Sequence, residues 1–76
     1  MKINYSKKAV KALGKKIREI RIKQKISQTQ LAFEIGTDQK QISRIENGDL
    51  NTSVAHVIAI AGILGVHVRE LWDFEY

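Results

Sequence analysis

Apolar positions in the chain recur at spacings of three and four rather than two, and proline is absent, so the pattern predicts helices throughout. Ser6 stands where an N-cap belongs, ahead of a helix running to about Gln24. With Val10 at 0° and steps of about 100°, Leu13, Ile17 and Ile20 fall between about 280° and 340°. Most of the cations fall between about 60° and 240° on the same wheel. Two residues break that partition: Ile22 lies among the cations, and Arg21, at about 20°, interrupts the apolar stripe. Gly14 costs this helix about 1 kcal/mol relative to alanine.

Ser27 is the next N-cap, opening a short helix from Gln28 to about Ile35 that buries Leu31, Ala32 and Ile35 and stops at Gly36. Thr37 or Asp38 caps a third helix from Gln39 to about Asn47, ended by Gly48. After a polar loop, Ser53 caps a fourth helix from Val54 to Leu64, with Val54, Val57, Ile60, Ala61 and Leu64 as its core stripe. A last turn or two covers Val68 to about Phe74. This order predicts an all-α chain, a compact five-helix orthogonal bundle forming one domain over residues 1–76, with residues 1–9 extending the first helix.

Composition narrows what such a bundle does. Seventy-six residues leave room for one core and little for an ordinary enzyme. Cysteine is absent, which excludes disulfides and thiolate metal sites and suits a cytoplasmic chain. His56 and His67 have no carboxylate at ligand spacing, so no metal, cofactor or catalytic base is expected. No signal-peptide pattern opens the chain, and its longest uncharged apolar run, Val57 to Val66, is about half of the roughly 20 residues that a membrane span needs. The net charge of +5 is uneven: residues 1–25 carry ten Lys or Arg against the single acid Glu19. The remainder carries three basic residues, Lys40, Arg44 and Arg69, against seven acids. A cationic first third suits a nucleic acid or an anionic membrane surface, and equally a solvated helix face.

The stretch SQTQLAFEIGTDQKQISRIENG, residues 27–48, resolves part of that choice. Two short helices flank a glycine-containing turn, and Ala32 supplies a small side chain where they cross, the geometry of a helix-turn-helix. With Gln39 at 0°, Lys40, Ser43, Arg44 and Asn47 fall between about 40° and 140°, opposite Ile42 and Ile45. That face carries two amides, two cations and a hydroxyl, the groups that hydrogen-bond base edges in a major groove.

On these residues the chain resembles the phage repressor/Cro-type (XRE-like) helix-turn-helix family, whose fold is the lambda repressor-like DNA-binding domain. The resemblance covers about residues 10–72 and rests on IREIR at 17–21, SQTQLAFEIG at 27–36, ISRIENG at 42–48 and LGVHVREL at 64–71. It implies a cytoplasmic, prokaryotic or phage-encoded regulator of transcription that binds double-stranded DNA sequence-specifically. It further implies base reading by Gln39, Lys40, Ser43 and Arg44, with Asp38 at the margin. Gln28 matches a position that contacts phosphate and braces the recognition helix, and Asn47 a backbone-contacting one. Asn51, Thr52 and Ser53 would add phosphate contacts through hydroxyls and the free amides of the fourth helix. Arg21 and Glu46 match a family ion pair, and the wheel sets Glu46 at about 340°, beside the buried face.

Three departures from the family pattern leave alternatives. Thr37 takes a turn position often held by valine. Asp38 caps the third helix, accepts from a cytosine amino group, or repels phosphate. The lysines ahead of the matching region either follow flanking phosphates as an arm or simply lengthen the first helix.

The fourth helix adds an expectation of its own. From Thr52 to Val68 the ionisable side chains are His56 and His67 alone, while Ala59, Ile63 and His56 lie about opposite the core stripe, with Ile58 at its edge. A helix apolar on both sides needs cover on both. The cover is either the chain's own ends (Ile3, Tyr5, Trp72, Phe74, Tyr76) or a second copy. The expectation is a homodimer through Ala59, Ile63, Trp72 and Phe74, with two recognition helices about 34 Å apart on a near-palindrome. The alternative function is a protein-interaction module, antitoxin-like or polymerase-contacting, that uses the same apolar surface.

Overall fold

The computed structural model describes residues 7–49 and 52–73. Helix α1 spans Lys7–Lys23, α2 Gln28–Ile35, α3 Gln39–Glu46 and α4 Val54–Leu64, and a 3-10 turn, Val68–Trp72, closes the chain. The class is all-α as expected, with four α-helices and a 3-10 turn in place of five α-helices. Ser6, Ile3, Tyr5, Asn51, Phe74 and Tyr76, named above as a cap, a cover or a contact, lie outside the described residues.

Capping side chains set the helix starts. Ser27 accepts from the amide of Gln30, Asp38 from that of Gln41 and Ser53 from that of His56, each satisfying a donor left free in a first turn. Of Thr37 and Asp38, the cap is therefore Asp38. His67 caps the closing turn: its Nδ1 accepts from the amide of Arg69, while Glu70 Oε2 accepts from the His67 amide at 2.8 Å. The bend between α2 and α3 needs a left-handed residue, supplied by Gly36 at φ 78°, whose amide returns to the carbonyls of Ala32 and Phe33. Helix α3 ends one residue earlier than its sequence suggests, because Asn47 already serves as its C-cap.

The core joins Ile17 of α1, Leu31 and Ala32 of α2, Ile42 and Ile45 of α3, four residues of α4 (Val57, Ile60, Ala61, Leu64) and Leu71 of the closing turn. Ile35, expected inside, is half-buried at the margin of this cluster. Val54 departs from its assignment to the core stripe and is 70% exposed. A helical wheel gives direction but not height, and α4 reaches the core first at Val57. Gly14 also gains a different meaning. It is buried, and a Cβ built there would lie 2.2 Å from the Ile45 carbonyl oxygen and 2.7 Å from that of Glu46. The helix-propensity cost of this glycine is thus the condition for α1 to lie directly on the last turn of α3. The side-chain amide of Gln24 donates to the Leu64 carbonyl, tying the end of α1 to the end of α4.

Candidate nucleic-acid interface

Helix α3 owes its placement to its inner side. Ile42 and Ile45 are buried in the core, and Glu46 beside them is 5% exposed. A carboxylate so far from water needs a partner. Arg21 of α1 provides it: Nε donates to Glu46 Oε2 at 2.6 Å and Nη2 to Oε1 at 2.9 Å. The third nitrogen, Nη1, donates to the Ile26 carbonyl at 2.8 Å. One guanidinium therefore holds α1, the approach to α2 and the end of α3 in register. The interruption of the apolar stripe by Arg21 is the trace of this pair in the sequence.

The pair continues outward. Glu46 Oε1 also accepts from Gln28 Nε2 at 3.0 Å, and Gln28 Oε1 accepts from Gln39 Nε2 at 2.6 Å. A line of hydrogen bonds thus runs from a buried guanidinium to an exposed amide on the first residue of α3. Sequence reasoning named all four residues and paired two of them; that the pairs form one line depends on side-chain placement that no spacing reveals.

On its outer side α3 presents Gln39, Lys40 and Arg44, with Asn47 just beyond its end; all four are exposed and Ser43 is half-buried. Donors and acceptors on this side are those that base edges and phosphates require. Gln28 is half-buried, and its amide already serves Glu46 and Gln39. Ser53 is exposed. Thr52 corrects the expectation of a hydroxyl contact with phosphate, because its Oγ1 is buried within the fold. Of the three roles open to Asp38, capping is the one formed, through Oδ1 and the amide of Gln41 at 2.9 Å.

Cations border this surface. Lys7, Lys11, Lys15 and Arg18 are exposed on α1, and a Cβ on Gly48 would come within 2.8 Å of the Lys11 Cα, so this part of α1 lies against the segment that leaves α3. Elsewhere the exposed groups are apolar. On α4 and the closing turn, Val54, Ile58, Ile63 and Trp72 are exposed and Ala59 is half-buried. Phe33 on α2, which sequence reasoning left without a role, is 80% exposed. Its position away from Leu31, Ala32 and Ile35 was the available signal. Among the described residues no three or more His, Cys, Asp or Glu side chains gather where they could hold a metal ion, and no helix is long and apolar enough to cross a membrane.

Comparison with known proteins agrees with this geometry. Residues 17–71 match the helix-turn-helix family profile. The chain is 42% identical over 62 residues to control protein C.BamHI of Bacillus amyloliquefaciens, covering 80% of this chain and 76% of that protein. Its fold is similar to the crystal structure of the restriction-modification controller protein C.AhdI from Aeromonas hydrophila, with a TM-score of 0.82 and 31% identity over 86% of this chain and 94% of the other. It is also similar to part of the hydroxypropylphosphonic acid epoxidase from S. wedmorenis, at a TM-score of 0.80 and 22% identity, over 87% of this chain but 35% of the enzyme; that likeness is one of fold alone. The chain belongs to the helix-turn-helix family, as a DNA-binding regulator of transcription.

Proposed function

We propose that this regulator reads double-stranded DNA by laying the outer side of α3 in the major groove, with Gln39, Lys40, Ser43 and Arg44 addressing bases. The observation that carries this reading is the partition of α3: its apolar residues are sealed in the core while Gln39, Lys40 and Arg44 stand in solvent on the other side. Backbone phosphates are met by Asn47, Asn51 and Ser53, by the amide of Thr52, and by the spare donor of Gln28. The relatedness to two controller proteins supports a role in controlling restriction–modification genes, in the cytoplasm of a bacterium. No enzymatic activity is assigned to it.

Two copies act together in this reading. Val54, Ile58, Ile63 and Trp72 offer an apolar surface with no charged side chain on α4, which suits a second α4 better than water. Dimerisation would set two α3 helices about one turn of DNA apart on a near-palindrome. The same surface, occupied by a different protein, is the basis of the alternative in which DNA is secondary.

Selection of duplexes from a random-sequence pool, followed by binding measurements at two salt concentrations, tests the assignment. Arg44→Ala is expected to cost about 1–3 kcal/mol on the selected duplex and to relax the preference at one position. Equal weakening on selected and random duplexes would remove Arg44 from base reading. Failure to enrich any sequence would favour the protein-interaction alternative.

A further inference from the structure

The line of hydrogen bonds from Arg21 to Gln39 has a direction, and the direction is set at its buried end. A carboxylate paired with a guanidinium only accepts hydrogen bonds. Glu46 takes two from Arg21 and a third, on Oε1, from Gln28. An amide has one accepting and one donating end, so Gln28 must turn Nε2 inward, and its Oε1 then faces out. Gln39 meets that oxygen and must in turn offer Nε2 to it, as the 2.6 Å contact records. Neither glutamine is left free to flip.

We infer that the Arg21–Glu46 ion pair is a specificity-positioning element: acting through Gln28, it fixes which end of the Gln39 amide faces the DNA and thereby selects adenine at the position that Gln39 reads. This rests on the base-reading role proposed above for Gln39. With one Nε2 hydrogen held by Gln28, Gln39 keeps its Oε1 and a second N–H for a base edge. Adenine offers the matching donor at N6 and acceptor at N7. Guanine offers two acceptors, N7 and O6, and would set one of them against Oε1. An unanchored glutamine flips and rotates freely and loses part of its preference to that motion.

The test uses the full chain and a duplex selected from a random pool, remade with every base pair at each position. Gln39→Ala locates the position that Gln39 reads by flattening the preference there. Gln28→Leu removes the middle of the line and leaves the ion pair. The double variant Arg21→Met with Glu46→Leu replaces the pair by apolar groups of similar bulk, an exchange that buried ion pairs often tolerate without loss of stability. Both are expected to lower the preference for adenine by roughly tenfold at that position, within the range of one bidentate contact, with preferences elsewhere unchanged. Thermal unfolding monitored alongside distinguishes this from a loosened fold, which would weaken binding at all positions together. Should the double variant not fold, Gln28→Leu carries the test by itself.

Full retention of the adenine preference in Gln28→Leu overturns the inference while leaving base reading by Gln39 intact. Loss in Gln28→Leu but retention in a folded double variant ends the line at Gln28 and equally overturns the role of the ion pair. If Gln39→Ala flattens no position, the base-reading assignment of Gln39 fails first, and the inference fails with it.

Discussion

Helices α3 and α4 both begin at a capping side chain, Asp38 and Ser53, and both turn isoleucines into the same core. They differ in what they turn away from it. The outer side of α3 carries amides and cations, which water solvates and which base edges and phosphates can replace water in binding. The outer side of α4 carries Val54 and Ile58, at 70% and 56% exposed, and no charge. Apolar area in water has a standing cost, on the order of 25 cal/mol for each Å² left uncovered. Thus α3 is complete as it stands and waits for a ligand, whereas α4 gains from being covered. The contrast separates recognition from assembly within one small domain.

The comparison breaks most severely if the inner side of α3 is disturbed. Glu46→Ala leaves Arg21 in the interior without its carboxylate, and a loss of about 3–5 kcal/mol is expected in denaturant unfolding. Since the whole domain has a net stability of only a few kcal/mol, this variant should be largely unfolded. A fully folded Glu46→Ala protein would mean that the pair contributes little.

Gly14→Ala comes next and sets two rules against each other. Helix propensity alone predicts a gain of about 1 kcal/mol for α1. The added Cβ would instead meet the carbonyls of Ile45 and Glu46, which are backbone and cannot swing aside. Overpacking of this kind costs about 1–3 kcal/mol or more, so a lowered melting temperature is expected. A raised one would show that α1 and α3 have room to separate.

The smallest effect on the folded chain sharpens the contrast instead. Ile58→Ser exchanges an exposed apolar group on α4 for a polar one and should alter the stability of the monomer by no more than about 0.5 kcal/mol. In sedimentation, however, it should shift the protein toward monomer, and affinity for a two-half-site duplex should fall while that for a single half-site holds. Unchanged sedimentation would remove Ile58 from any interface between copies.

Much of this was legible in the chain. Ser27 and Ser53 each stand directly before a run of helical periodicity, and Gly36 and Gly65 directly after one, so the bounds of α2 and α4 follow from local chemistry. The outer face of α3 follows from its spacing in the same way. Other features were not. Val54 shares the direction of the core stripe and still lies in solvent, because burial depends on how far neighbouring helices extend. Thr52 has a hydroxyl suited to phosphate, yet it turns inward. His67, weighed as a possible ligand, is a cap for the closing turn, since a histidine Nδ1 can stand in for a serine hydroxyl when it sits at a helix start.

The sequence by itself determined the helices, their order, the charged α1 and the side chains available on α3, because each of these depends on residues within a turn or two of one another. Only the tertiary structure decided that Gly14 marks a contact between helices and that four polar residues, twenty-five positions apart at the extreme, form one hydrogen-bonded line. Hydrogen bonds of this kind require atoms to meet within about 3 Å, and such meetings are fixed by packing of the whole core rather than by periodicity along any one helix.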